Sequence, residues 1–171
     1  MNPAVARIVA GGQSGVDRAA LDVAVELGIP YAGWCPAGGW AEDLTEPPGL
    51  LARYPALVET ETADPAERTE LNVRDSDATL VVRAADAASP GTDLTIELAE
   101  KLGRPWLVTE GRADDVRLVE VALAWVRGLA ADVGVDLETG IALNVAGPRE
   151  SEQPGVYDEA RRFLRAVLHL P

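Results

Sequence analysis

A single cysteine, Cys35, stands among 171 residues, so neither an intrachain disulfide nor a thiolate metal cage can form, and a reducing compartment is expected. The one histidine, His169, excludes a zinc site built on several histidines. It also excludes a histidine-based nucleophilic triad, because its place in the last turn of a helical pattern suits a helix-end role. No window approaches the roughly 18 consecutive apolar residues of a membrane span. The opening "MNPAVARIVA" has no basic segment ahead of a long apolar run, so the expectation is a soluble, cytoplasmic protein with no membrane partner. Repeats and low-complexity tracts are absent too. Basic residues are scarce, 15 Lys and Arg against 28 Asp and Glu for a formal charge of -13. A field of that sign repels nucleic acid, and an anionic ligand needs a locally positive site. The arginines beside glycine-rich turns therefore carry weight.

What is present reads as a globular chain, 47% apolar and 25% charged, of a length that suits one domain over residues 1–171. Residues 5–10 form a short buried strand. From Val16 the positions Val16, Ala19, Ala20, Val23 and Leu27 keep helical spacing until Gly28. "IPYAGWCP" reads as one strand entering a turn, "AGGWAEDLTEPPGLLARYP" as a long loop and "ALVET" as a short strand. "DPAERTELNVRDS" is a helix opened by Asp64 with Pro65 in its first turn, followed by the buried strand "DATLVVRA". "ASPGTD" reads as a turn feeding the helix "LTIELAEKLG", closed by Gly103, before the strand "RPWLVTE". Ala113 to Val133 is an amphipathic helix with Val116, Val119, Leu123, Val126 and Ala130 on one face. "IALNVAG", "PRESEQPG" and "VYDEARRFLRAVL" close the chain as strand, loop and helix. This alternation predicts an α/β architecture, a three-layer Rossmann-like fold with a mainly parallel sheet and ligands beyond the carboxyl ends of its strands.

Three turns then gather at that edge. In the first, Gly11, Gly12, Gln13, Ser14 and Gly15 let backbone N–H groups approach an anion at a helix N-terminus. Ser14 and Asp17 have the spacing of a helix cap, which leaves Gln13 to reach outward. A tight connection with no ligand is the alternative, since neither a G-x-G-x-x-G fingerprint nor a P-loop ending is present. In the second, "SPGTDLT", Gly91 permits close approach and Thr92 offers a hydroxyl and an amide, although Thr92 or Asp93 can also simply cap the helix. In the third, "NVAGPRES", Asn144, Gly147 and Arg149 offer an amide, bare backbone and a guanidinium. Arg68 lies where it can aim at the same crevice; an ion pair with Glu67 or Glu70 is its other reading. Trp34 and Trp40 suit core and loop-anchor roles, and Cys35 that of a small buried hydrophobe.

Taken in order, "GGQSGVDRAALD", "GWCPAGGWAED", "RTELNVRDSDATLVV", "PGTDLT" and "LNVAGPRESEQPGVY" resemble the putative molybdenum carrier family. Its members are relatives of molybdenum cofactor carrier proteins within the lysine-decarboxylase-like, Rossmann-type nucleotide-binding group. The resemblance covers nearly the whole chain. It implies binding of the molybdenum cofactor (Mo-molybdopterin), a pterin with a terminal phosphate and a dithiolene-bound molybdenum oxo centre. It also implies a homo-oligomer, a dimer or tetramer, and molybdoenzymes or cofactor-synthesis proteins as the partners of a carrier. Contacts to this phosphate-bearing ligand fall on Gly11, Gly12, Gln13, Ser14, Gly15 and Arg18 of the first motif. Arg68, Asn72, Ser76 and Asp77 follow in the third, Gly91 and Thr92 in the fourth, and Asn144, Gly147, Arg149 and Glu150 in the last. No catalytic residue and no metal-ligating side chain is expected, the metal arriving held by its pterin.

In the wider group, nucleotide-releasing hydrolases carry a P-G-G-x-G-T-x-x-E turn whose glutamate assists cleavage of an N-glycosidic bond. Here Thr95 stands at that glutamate's place and Glu97 two residues further on, where a helix turns it away. The expectation is a carrier. The alternatives are a hydrolase acting on a nucleotide or nucleotide sugar, and a nucleotide-sensing module without turnover.

Overall fold

The computed structural model describes residues 4–132 and 140–169. Five parallel strands make the central sheet in the order β2-β1-β7-β5-β6. They are β1 (Val5–Val9), β2 (Tyr31–Ala32), β5 (Ala78–Val82), β6 (Trp106–Thr109) and β7 (Ile141–Ala146). β5 is buried throughout and β7 over all but its last residue, as continuous aliphatic runs must be when helices cover both faces of a sheet. Helix α1 (Val16–Leu27) packs on α6 (Val156–His169), and α6 on α5 (Val116–Asp132). On the other side α3 (Pro65–Arg74) pairs with α4 (Pro90–Lys101), with Val73, Leu98, Ala99 and Leu94 between them. The architecture is the expected α/β, Rossmann-like one.

Local chemistry explains most boundaries. Asp64 Oδ1 accepts from Ala66 N at 2.9 Å to open α3, with Pro65 in the first turn where a missing N–H costs nothing. Gly28 ends α1 at φ 68°. On α6, Val156, Ala160, Phe163, Leu164 and Val167 are buried as their spacing predicts.

Four expectations change. "IPYAGWCP" is not one strand: the chain leaves the main sheet after β2, and β3 (Trp34–Cys35) pairs with β4 (Val58–Glu59) in a separate two-stranded sheet. The break is at Gly33, where a Cβ would lie 2.1 Å from the Ala10 carbonyl oxygen. The long loop contains a helical turn, α2 (Leu50–Arg53), anchored by the fully buried Leu50 and followed by the buried Tyr54. Residues Pro90 to Asp93 belong to α4 rather than to a turn, Pro90 again taking a first-turn position. Finally, α5 starts after Asp115, which accepts from Arg117 N, and its inward residues are Val119, Ala122, Val126 and Ala130. Val116 is 64% exposed, and Val133, the expected last residue of this helix, lies outside the described residues.

Candidate functional site

The loops that follow β1, β5 and β7 meet at the carboxyl edge of the sheet and interlock through bare backbone. A Cβ on Gly15 would fall 2.3 Å from the Pro148 carbonyl oxygen, and one on Gly147 the same distance from that of Val82. Val16 N donates to Pro148 O at 3.3 Å across the same junction. This junction forms a wall with a cleft on either side.

The smaller cleft, about 70 Å³, is lined by Gln13, Asp17, Arg68, Gly91, Thr92, Thr95, Gly147, Arg149 and Glu152, among others. Beneath it a void of about 10 Å³ reaches Gly11, Asn72 and Asn144. Arg68 crosses from α3 so that Nη1 lies 2.9 Å from Asp17 Oδ2. The guanidinium covers Gly11, where a Cβ would be only 2.0 Å from Nη1. Arg68 thus pairs with Asp17, and with neither Glu67 nor Glu70. Its Nε is buried without a hydrogen-bond partner. Burial raises the Asp17 carboxyl above its ordinary value; Arg68 and backbone hydrogen bonds from Gln13 and Gly11 act against that rise. The first glycine-rich turn therefore directs part of its backbone polarity inward, at a carboxylate of its own chain. Gln13 does not reach outward: it is buried, and its Oε1 accepts from Ser14 N and Glu42 N at 3.0 and 2.9 Å.

At the mouth of this cleft α4 presents its N-terminus. Ser89 is the N-cap residue, but its side chain accepts from no amide of the helix. Its hydroxyl lies 2.7 Å from Thr92 Oγ1 and donates to Glu152 Oε2 at 2.8 Å. Glu152 Oε2 also accepts from Arg149 N at 3.0 Å. Pro90 has no N–H, and the amides of Gly91 and Thr92 have no acceptor among the described residues. The half-buried Arg149 guanidinium enters no ion pair among them. Thr95 Oγ1 donates back to Gly91 O at 2.9 Å, while Glu97 is exposed.

Across the wall lies a cavity of about 750 Å³, lined by Ser14, Gly15, Arg18, Asp22, Glu42, Asp43, Arg53, Glu150, Ser151, Tyr157 and Asp158. Its cations are already engaged. Arg18 holds Asp43 through two 2.9 Å contacts and donates from Nε to Gly12 O, and Arg53 pairs with Asp22 at 2.9 Å. Tyr54 and Tyr157 donate to the same Asp22 carboxylate. Ser14 is not the cap of α1: that place belongs to Gly15, and the Ser14 hydroxyl donates to Glu42 and accepts from Glu150 N. Burial acts against the Glu42 charge, but the bonds from Ser14 and Ser151 outweigh it and hold the carboxyl below its ordinary value.

The expected contact residues thus divide. Gln13, Arg68, Gly91, Thr92, Gly147 and Arg149 share the small cleft, with Gly11, Asn72 and Asn144 beneath it. Ser14, Gly15, Arg18 and Glu150 face the large cavity, and Gly12 backs on Leu50 and Leu57. Asn72 clamps the Trp34 backbone through both amide atoms, so the half-buried Trp34 is a junction residue. Ser76 and Asp77 precede β5 and so stand at the amino edge, away from the clefts. There Ser76 donates to Asn72 O and Asp77 accepts from Ala142 N. The residues that sequence reasoning missed are Asp17 as the partner of Arg68, together with Ser89 and Glu152. The last had a readable signal, an acid three residues after Arg149 in a position to bond its amide.

Residues 8–168 match the model of the circularly permutated YpsA SLOG family. The chain belongs to that family. A neighbour among solved structures shares the fold. This is the crystal structure of a putative molybdenum carrier protein from Syntrophus aciditrophicus SB, 34% identical over 98% of each chain with a TM-score of 0.79. No curated protein matches the chain. Among the described residues no helix is long and apolar enough to cross a membrane, and no group of three or more His, Cys, Asp or Glu is placed to hold a metal ion.

Proposed function

We propose that this SLOG-family chain is a molybdenum cofactor carrier that takes the terminal phosphate of the pterin in the small cleft. The observation that carries the reading is the set of donors left without acceptors there, the Gly91 and Thr92 amides and the Arg149 guanidinium, with Arg68 lining the same cleft. Helix N-termini and arginine forks suit phosphate oxygens, and they supply local positive charge in a chain of -13. The solved neighbour's description as a molybdenum carrier supports the choice of cargo. The cleft admits only the phosphate end, so the pterin and its metal lie outside it, the metal retained by the dithiolene. A hydrolase acting at an N-glycosidic bond is disfavoured because α4 brings no carboxylate into the cleft: Thr95 bonds its own helix and Glu97 points away. We further propose that the carrier is a cytoplasmic homo-oligomer that hands its cargo to cofactor-using or cofactor-making proteins.

Native mass spectrometry of protein purified from a cofactor-producing host tests the reading without presuming the ligand. The expected result is a co-purified mass equal to the cofactor, lost in Arg149→Ala or Arg68→Ala. A nucleotide mass in its place overturns it. Either alanine variant should weaken cofactor binding by roughly ten- to a hundredfold, about 1.5–3 kcal/mol, with lysine restoring only part.

A further inference from the structure

Glu152 is a carboxylate seated at the mouth of the small cleft, where an anionic ligand would go. Its Oε2 accepts from the Ser89 hydroxyl at 2.8 Å and from the Arg149 amide at 3.0 Å, two donors from two different loops at the mouth of the small cleft. Ser89 is the N-cap of α4, the helix whose next two N–H groups have no acceptor among the described residues. One carboxylate oxygen therefore sits beside an open helix N-terminus, with Arg149 and Arg68 lining the same cleft.

From this geometry we infer that Glu152 is an internal stand-in for the ligand's phosphate, and that binding exchanges the carboxylate for the phosphate. The inference rests on the phosphate-cleft reading above and deepens it. The physical ground is repulsion. A phosphate monoester entering this cleft with Glu152 in place would set two anions side by side, and both would draw on the Ser89 hydroxyl and the Arg149 amide. Moving Glu152 out frees those two donors and removes the opposing charge in one step. The exchange asks only the Glu152 side chain to swing: it is half-buried beside the exposed Ser151, Pro154 and Gly155, while the backbone stays held by the bonds of Ser151 to Glu42 and of Gly155 to Glu150. The ligand-free protein keeps the Ser89 hydroxyl and the Arg149 amide satisfied in the meantime, and its apparent affinity for anions is lowered by the fraction of chains in which Glu152 is seated.

Isothermal titration with AMP and with inorganic phosphate, at fixed ionic strength, tests this on wild type, Arg149→Ala, Glu152→Ala, Glu152→Gln and Glu152→Ala combined with Arg149→Ala. Glu152→Ala should bind AMP at least tenfold more tightly than wild type. Glu152→Gln should fall between them, since its amide still occupies the place but carries no charge, and the double variant should lose the gain. Thermal melts run alongside should show phosphate raising the melting temperature of Glu152→Ala more than that of wild type. If Glu152 only ties two loops together, Glu152→Ala will melt lower and bind AMP no better. With wild-type binding still dependent on Arg149, that result overturns the exchange and leaves the phosphate cleft standing. Binding that ignores Arg149 in every variant places the anion elsewhere and overturns both. Absence of AMP and phosphate binding in both Glu152 variants overturns the exchange, and the cofactor reading is then judged by its co-purified mass.

Discussion

Arg68 and Asp17 meet 2.9 Å apart over the bare face of Gly11, joining α3 to the first turn of α1. Burial is the dominant influence on Asp17 and raises its carboxyl above the ordinary 3.8; the guanidinium and backbone hydrogen bonds from Gln13 and Gly11 oppose that rise. Asp17→Ala leaves Arg68 and those amides without their acceptor, and is expected to cost about 3–5 kcal/mol in urea unfolding, as loss of one partner of a buried pair does. Asp17→Asn keeps an acceptor oxygen and should cost less. The sign of the pH dependence follows from the raised value. The native state holds its proton more tightly than the unfolded chain, so this site loses stability as pH rises from 3.8 through the folded pKa. Wild type should accordingly lose stability relative to Asp17→Asn over that interval. A constant difference between the two would show that Asp17 is not desolvated.

Gly15 carries the wall between the two clefts. At φ 79° and ψ -129°, with the Pro148 oxygen 2.3 Å from where a Cβ would sit, it meets backbone that has no side chain to swing aside. Gly15→Ala is expected to destabilise by at least about 2 kcal/mol, combining the left-handed backbone penalty with displacement of the Pro148–Arg149 segment. The same displacement moves the Arg149 amide, so the surviving folded fraction should also bind AMP more weakly. Unchanged melting and unchanged affinity would mean that the two loops are not in register.

Much of this was legible in the sequence, and the exceptions share a cause. The heptad-like stripe of α6 and the Asp64–Pro65 start of α3 depend on neighbours within four residues, and both appear where spacing puts them. The break at Gly33 depends on Ala10, in a different strand, which no local pattern reveals. The inward face of α5 keeps Val119, Val126 and Ala130 where spacing puts them and differs at Val116 and Ala122. Val116 is an apolar residue at the right spacing, but it sits at the very start of the helix and is left exposed, while Ala122 is buried. At the candidate site, the three glycine-bearing turns were readable because small residues and helix starts are local. The intramolecular anions were not, because Asp17 meets Arg68 fifty-one positions away and Glu152 meets Ser89 sixty-three away.

Glu42 ties the wall from the large-cavity side, accepting from Ser14 Oγ and from the hydroxyl and amide of Ser151. Burial opposes its charge, yet these bonds hold it below its ordinary 4.5. Its contribution to stability is therefore complete above 4.5 and is lost as pH falls through the lower folded value. Hydrogen exchange at the Ser151 amide is expected to accelerate on acidification through that window, after correction for intrinsic rates. Glu42→Gln should show the faster exchange already at pH 7 and little further change. An amide equally protected at pH 3 and pH 7 would remove Glu42 from the wall.

Cys35 tests where the metal of the proposed cargo is held. The thiol is fully buried, and burial first, then the neighbouring Glu59 charge, pushes its pKa up to about 11, with Arg68 opposing. At pH 8 the group is a neutral thiol, neither nucleophile nor soft metal ligand. Native protein should therefore react slowly with a disulfide reagent at pH 8 and yield one equivalent per chain once unfolded in guanidinium. Cys35 lines neither cleft nor the void beneath, and its substitution separates two ways of holding the cargo. If the pterin retains the metal and the protein grips only the phosphate, Cys35→Ala should co-purify with as much cofactor as wild type, whereas Arg149→Ala should not. Loss of metal with retention of the pterin in Cys35→Ala would instead make this thiol a ligand.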